Sequence, residues 1–207
     1  MDLKFFFKNN LLTDRNVLHL AEYSTKIQSF KLPVQLFELL KENGGSVVNR
    51  GLFRIHNSGS AYYWSELCSK YFNFEHGRIF CFGFDWLGRN HAVDLKRPNT
   101  ILILDYATGE YFELVQTLSG YFKADLVEYR SDTLSEDLYE ELMLKAQKEL
   151  KFDECYTFKI PLFLGGEDSF ENYEVMNMEV CWEINHQLYL KANNLPEGEV
   201  IGNISID

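Results

Sequence analysis

The chain has 207 residues, of which 46% are hydrophobic and 15% aromatic, enough to bury the core of one sizeable domain or two small ones. Its 31 acidic and 20 basic side chains give a net charge of -11. Proteins that bind nucleic acids or anionic membranes carry clustered basic residues, so this balance argues against both partners. It favours a basic protein partner, although acidity also serves solubility by itself.

Hydrophobic periodicity predicts helices in the first third of the chain and strands in the middle. Strands in quick succession with short turns imply an antiparallel meander. The predicted elements are, in chain order, helices from Thr13 to Ile27 and from Pro33 to Gly44, a strand from Leu52 to Ile55, a helix from Ser60 to Tyr71, strands from Ile79 to Phe84, His91 to Leu95, Ile101 to Tyr106 and Tyr111 to Leu114, and a helix from Leu114 to Phe122.

The last third mixes both element types. Thr133 and Glu136 fit a capping box, which predicts a helix with Leu138, Leu142, Ala146 and Leu150 on its buried side. A strand at Tyr156–Phe163, a helix from about Glu174 to Ala192 and a closing strand at Val200–Ile206 follow. We expect an α+β fold, an antiparallel sheet flanked by helices, in a single compact domain 1–207. A soft subdivision separates 1–125, the helices plus the meander, from a C-terminal region, 126–207.

The four cysteines, Cys68, Cys81, Cys155 and Cys181, show neither C-x-x-C spacing nor zinc-finger histidines. Their apolar or aromatic neighbours predict buried free thiols in a reducing cytoplasm. The pairs Cys81 with His91 and Cys155 with His186 could place a thiol beside a base, but a thiol inside an apolar strand is usually inert. We expect no cofactor and no metal.

The stretch Gly165-Gly166-Glu167-Asp168 does not fit a phosphate loop, because its two acids would repel phosphate. Glu171 extends this acidic cluster. Paired carboxylates could serve catalysis, cap or solvate a helix start, or face a basic partner. No partner histidine supports catalysis.

A second candidate region surrounds the turn at Asp85 and Trp86. An aromatic ring at a turn can anchor a partner, and more often it folds back over its hairpin as a lid. Trp64 and Trp182, at helical spacing, are expected in the core.

One resemblance is carried by the segment from Ile160 to Tyr173, IPLFLGGEDSFENY, and the helix pattern that follows it. A proline-led apolar run, a double glycine, an acidic residue and an x-E-N-x-E element stand in this order. This segment resembles the C-terminal domain of bacterial type VI secretion immunity proteins, which neutralise a DNase toxin. The resemblance covers roughly Leu142 to Asp207.

The middle of the chain, from Pro33 to Phe122, is similar to the SUKH superfamily, which includes Smi/Knr-type regulators and many toxin-immunity proteins. The carrying residues are FGFDWLGR, from Phe82 to Arg89, and the turn DYATGE, from Asp105 to Glu110. The resemblance implies a SUKH-like sheet with flanking helices.

These resemblances imply a non-enzymatic immunity protein that binds a cognate, basic toxin, a nuclease, and blocks its active site. Charge and turn placement suggest the contact residues: first Glu167, Asp168 and Glu171, then Asp85, Trp86 and Glu110. The alternative is a Smi/Knr-like regulatory or scaffold module with several protein partners. An enzyme is the third possibility, but no catalytic motif supports it.

Overall fold

An antiparallel meander is the centre of the fold. The computed structural model describes residues 3–16, 27 and 30–192. Within them, seven strands pair in chain order, so every connection joins neighbours in the sheet. The strands are Leu12–Arg15 (β1), Ser46–Val48 (β2), Phe53–Ile55 (β3), Ile79–Asp85 (β4), Asn90–Asp94 (β5), Thr100–Asp105 (β6) and Glu110–Val115 (β7).

Helices flank this sheet, and a two-stranded sheet stands beside it. The helices are Lys4–Asn9 (α1), Val34–Asn43 (α2), Ser58–Tyr71 (α3), Leu118–Lys123 (α4), Arg130–Leu134 (α5), Glu136–Ala146 (α6) and Met178–Ala192 (α7). The second sheet pairs Glu154–Phe158 (β8) with Tyr173–Asn177 (β9) in antiparallel register. The predicted α+β class with an antiparallel meander is confirmed.

Strand β4 shows why an apolar run on both faces predicts a central strand. All seven of its residues are buried. Phe80 and Phe82 join one core cluster, and Cys81 joins the other, on the opposite face. A register shift between Cys81 and Gly83 turns Phe84 towards the second cluster as well. A Cβ at Gly83 would lie 2.6 Å from the ring of Phe53, so only glycine fits this bulge.

The first predicted helix is wrong at its start, although Ile27 at its predicted end is helical and buried. Residues 12–15 form β1, which pairs with β2 through a register shift between Leu12 and Asp14. Residues 17–26 of that prediction lie outside the described residues. Strand β2 was not predicted. Pairing with β2 thus places Thr13 in a strand, although its residue type also suits a helix cap.

Several helix starts also differ from the prediction. Thr133 lies inside α5, and α6 begins after Ser135, which has a φ of 51° and makes no side-chain cap, so the capping box is wrong. Helix α6 ends at Ala146, which is exposed, although Leu142 and Leu150 are buried as predicted. Helix α7 begins at Met178, because residues 173–177 pair with β8. Strand Val200–Ile206 lies outside the described residues.

Helices α2, α3 and α4 confirm the other predicted helices, with changes in detail. Asn57, not Ser60, caps α3 by accepting a hydrogen bond from the Ser60 amide at 2.9 Å. Helix α4 begins at Leu118 rather than Leu114, which belongs to β7. Phe37 is exposed, whereas its neighbours Leu36 and Leu39 are buried.

Candidate partner-binding surface

The connection between β8 and β9, residues 159–172, is a closed loop clamped by one buried side chain. The Asn172 amide donates to the carbonyl oxygens of Ile160, at 2.9 Å, and Glu167, at 2.8 Å, and its Oδ1 accepts from the Ile160 amide at 2.9 Å. A Cβ on Gly166 would lie 1.9 Å from the Ile160 carbonyl oxygen. The second glycine and the asparagine of the motif therefore serve loop closure.

The clamp holds the predicted acidic residues at the surface. Glu167, Asp168 and Glu171 are all exposed. The Tyr173 hydroxyl donates to Asp168 at 2.8 Å. The pKa of Tyr173 is raised, mainly because the hydroxyl is buried and secondly because of this hydrogen bond. In the described part of the chain, no ion pair joins any of the three carboxylates. Ile160 beside them is 56% exposed, so the loop presents an apolar residue with an acidic rim.

Glu110 lies near the same loop. It is exposed at the start of β7, directly after Gly109, whose φ of +70° closes the turn. The Tyr189 ring packs so tightly on Gly109 that a Cβ there would lie 2.7 Å from it. The same ring also contacts Phe163 in the clamped loop, with ring centroids 6.1 Å apart. Tyr189 therefore connects Glu110 with the loop.

Asp85 is fully buried, so the prediction that it contacts a partner is wrong for this conformation. Its carboxylate accepts from the amides of Leu87 and Arg89, both at 3.0 Å, and pairs with the Arg89 guanidinium at 2.6 Å. Burial raises the pKa of Asp85, but Arg89 and His91 outweigh it and hold that pKa at about 2. Its role is to close the β4–β5 turn.

Trp86 is also fully buried, and the lid interpretation agrees with its position. Its indole donates to the Leu134 carbonyl oxygen at 2.5 Å, and its ring packs among Tyr139, Tyr156 and Tyr173. The Tyr156 amide donates to the Trp86 carbonyl oxygen at 2.8 Å, which ties β8 to the meander. An aromatic surrounded by rings cannot anchor an external partner. Trp64 and Trp182 are buried, as predicted.

A triad-like arrangement lies inside the fold. His56 contacts the Ser60 hydroxyl at 3.1 Å through Nδ1 and the Asn90 side-chain oxygen at 2.9 Å through Nε2. Burial lowers the pKa of His56 to about 3, so its imidazole is neutral and weakly basic at neutral pH. The Ser60 hydroxyl lies within 3.2 Å of both Asn57 oxygens. These contacts favour a structural role over a nucleophile activated by a base.

The sequence analysis missed a second acidic surface, on the segment from the end of α4 through α6. Glu128, Asp132, Asp137 and Glu140 are exposed, and no ion pair joins them within residues 3–16, 27 and 30–192. Tyr129 is 58% exposed among them. The sequence does contain a signal for this surface, because acidic residues recur every four positions, at Glu128, Asp132, Glu136 and Glu140.

All four cysteines are free and buried, as predicted. Burial raises the pKa of Cys68. The pKa of Cys155 is also raised, mainly by the contact with the Cys181 thiol and secondly by burial. Among the described residues, no group of three histidine, cysteine or acidic side chains could hold a metal ion. No helix in the same residues combines the length and apolarity that crossing a membrane requires.

One family model matches part of the chain. Residues 116–189 match the model described as "T6SS immunity protein Tdi1, C-terminal". The resemblance noted from Leu142 to Asp207 is thereby confirmed up to residue 189, and the match begins earlier, in front of α4. No curated protein sequence matches the chain.

A solved structure is similar over most of the chain. It is described as "Crystal structure of Atu4351 from Agrobacterium tumefaciens". It aligns with a TM-score of 0.65 at 13% identity, covering 90% of this chain and 89% of that chain. At this identity the likeness concerns the fold.

The net charge of the chain is concentrated in the matched segment. Residues 116–189 contain 16 of the 31 acidic side chains but 6 of the 20 basic ones, a net charge of -10. The other residues hold 15 acidic and 14 basic side chains, which nearly cancel. The acidity is therefore a local property of the part of the chain that resembles an immunity protein.

Proposed function

We propose, from the match of residues 116–189 to the immunity family, that this protein binds and neutralises a cognate type VI secretion toxin made by the same cell. We propose further that the toxin is a nuclease and that the complex forms in the cytoplasm. The observation that carries the proposal is the coincidence of the family match with nearly all of the net negative charge.

The mechanism follows from electrostatics. A nuclease must attract a polyanion, so its cleft carries basic residues. An acidic surface presented to that cleft speeds encounter, selects the cognate partner and excludes nucleic acid from the same space. Such inhibition needs no chemistry by the immunity protein, which is consistent with the neutral, buried His56 and its hydrogen-bonded Ser60.

The clamped loop 159–172 is the first part of the proposed contact surface. Glu167, Asp168 and Glu171 supply charge that no ion pair among the described residues neutralises, although the Lys159 ammonium donates to the Glu171 backbone carbonyl at 2.6 Å. Exposed Ile160 supplies apolar area. Glu110 extends this surface through the Tyr189 contact. The acidic surface around α5 and α6 offers a second contact area within the matched segment.

Co-expression with the product of the adjacent gene tests the proposal. We expect the neighbour alone to stop growth and the pair to grow and co-purify as a complex. A harmless neighbour and no complex would contradict the proposal and favour the Smi/Knr-like scaffold, which predicts weaker binding to several endogenous proteins.

A further inference from the structure

A pocket of about 430 Å³ lies at the base of the β8–β9 hairpin, between that hairpin and helix α3. We call it the hairpin-base pocket. It is at the opposite end of the hairpin from the clamped loop, and five-residue strands separate the two by about 17 Å. Its volume is in the range of small-molecule and side-chain sites.

Two carboxylates stand in the lining of the pocket, and both are fixed. The Tyr63 hydroxyl donates to Glu179 at 2.5 Å. The Asn177 side chain donates to Asp153 at 3.2 Å, and its oxygen accepts from the Glu179 amide at 3.0 Å. Asn177 therefore connects the segments that carry the two acids. Both acidic residues are exposed, so a ligand can reach them.

Aromatic rings form the apolar part of the lining. Tyr63, Trp64 and Phe152 are the rings available to a ligand, because Phe84 already contacts the Arg54 guanidinium at 4.4 Å and the His56 ring at 4.7 Å. Among the described residues, no lysine, arginine or histidine lines the pocket. Carboxylates together with aromatic faces are the surroundings that a guanidinium group prefers.

The N-termini of two helices oppose the binding of a cation, but their partial charges are smaller than the full charges of the two carboxylates. Helices α3 and α7 begin at the pocket, and each N-terminus contributes about half a positive charge. Asn57 and Asn177 cap these ends. Arg54 does not line the pocket, because its guanidinium donates to the carbonyl oxygens of Lys151, Glu154 and Asp85 in the interior.

We infer that the hairpin-base pocket binds the side chain of an arginine presented by the toxin. This inference rests on the proposed function, since it assigns a specific contact to the basic partner. The guanidinium lies against Trp64 and Phe152 and forms ion pairs with Asp153 and Glu179. A pocket with aromatic walls supplies the anchor that a loop with an acidic rim lacks.

The test is a titration of the full chain with N-acetyl-arginine amide, followed by the indole N–H signal of Trp64. The Trp86 indole donates to the Leu134 carbonyl oxygen inside the fold and serves as the internal reference. Trp182 is not used for this purpose, because its ring lies 5.2 Å from that of Trp64. We expect a saturable shift of the Trp64 signal, and little shift with N-acetyl-norleucine amide, which is neutral. An equal shift with the neutral probe, or a shift with inorganic phosphate and none with the arginine probe, would overturn the inference.

Matched variants separate the pocket from general acidity. The double variant Asp153→Asn/Glu179→Gln keeps the shape and the hydrogen-bond acceptors and should weaken probe binding at least fivefold. The variant Glu167→Gln/Asp168→Asn makes the same change in charge at the other end of the hairpin and should bind the probe like the wild type. Equal weakening in both variants, or in neither, would contradict a specific site.

Toxin binding then tests the assigned partner. We expect the pocket variant to bind the toxin at least tenfold more weakly with an unchanged melting temperature. Unchanged toxin affinity would overturn the assignment of a toxin arginine. If the wild type binds no toxin, the proposed function fails, while the probe titration still decides whether the pocket takes a guanidinium.

Discussion

Asn172 binds both the amide and the carbonyl oxygen of Ile160, each at 2.9 Å, so one side chain completes the backbone hydrogen bonds where β8 ends. It thereby fixes the loop that presents Glu167 and Asp168. The order of the motif follows from this closure: Gly166 permits the close approach, the acids follow it on the outside, and the asparagine returns to close the loop.

Replacing Asn172 should destabilise the protein and disorder the acidic loop. Asn172→Ala leaves the part-buried amide and carbonyl of Ile160 without their partner, which costs about 2 kcal/mol in the free energy of unfolding. Urea denaturation measures this loss. Asn9 is a suitable control, because its side chain makes one exposed hydrogen bond to the Phe5 carbonyl oxygen. Equal effects of Asn9→Ala and Asn172→Ala would refute the clamp.

Reversing the charge of the loop should weaken toxin binding without unfolding the protein. We expect Glu167→Lys/Asp168→Lys to lower toxin affinity tenfold or more, because two favourable charges become repulsive. The control Asp14→Lys/Glu42→Lys makes the same change in net charge on exposed residues outside the matched segment. Calorimetric titration measures the toxin affinity of both variants, and their melting temperatures, which should be unchanged, show that both remain folded. If the two variants lose equal affinity, the contact surface is not at the loop.

Trp86→Phe should lower stability but not intrinsic toxin affinity. The substitution removes the hydrogen bond to the Leu134 carbonyl oxygen and leaves a cavity among three tyrosine rings, which costs about 1–3 kcal/mol. Under conditions where the variant is folded, its toxin affinity should equal that of the wild type. A specific loss of affinity with unchanged stability would restore Trp86 as a contact residue.

The buried histidines should make the fold sensitive to acid. Burial holds the pKa of His56 at about 3, against 6.5 for an ordinary histidine. Because the folded pKa is lowered, this stability is present above pH 6.5 and is lost as the pH falls towards 3. The loss is about 3 kcal/mol between pH 6.5 and pH 4. Burial also lowers the pKa of His91, which adds a loss of the same sign.

Unfolding measurements from pH 7 to pH 4 check this prediction. His56→Gln removes one titrating group and should flatten the pH profile, even though its stability at pH 7 is lower. A profile as steep as that of the wild type would show that His56 does not carry the effect. The carboxylate of Asp85 adds a further loss below pH 3.8, because its folded pKa of about 2 is also lowered.

The sequence predicted the meander well, because its strands are short apolar runs separated by turn residues. The prediction failed at β1 and β9, which are polar or mixed segments. They become strands because they pair with β2 and β8, and local sequence propensity carries no information about such pairing. The buried charges show the same limit. Asp85 looks like a surface residue at a turn, and only the fold reveals Arg89 and two amides around its carboxylate.

The contact surface was predictable in part. The acids of the clamped loop follow two glycines, so their exposure could be read from the sequence. The hairpin-base pocket could not, because Trp64 in α3 and Asp153 before β8 are far apart in sequence and meet only in the folded chain. The predicted single domain with a soft boundary near residue 125 stays a prediction.

The most direct measurement is DNA cleavage by the purified toxin with increasing amounts of this protein. We predict that cleavage stops at a fixed stoichiometric ratio and that inhibition weakens as salt rises, because the contact is electrostatic. Glu167→Lys/Asp168→Lys should need a large excess to inhibit. Cleavage that continues unchanged at saturating wild-type protein would contradict the proposed neutralisation.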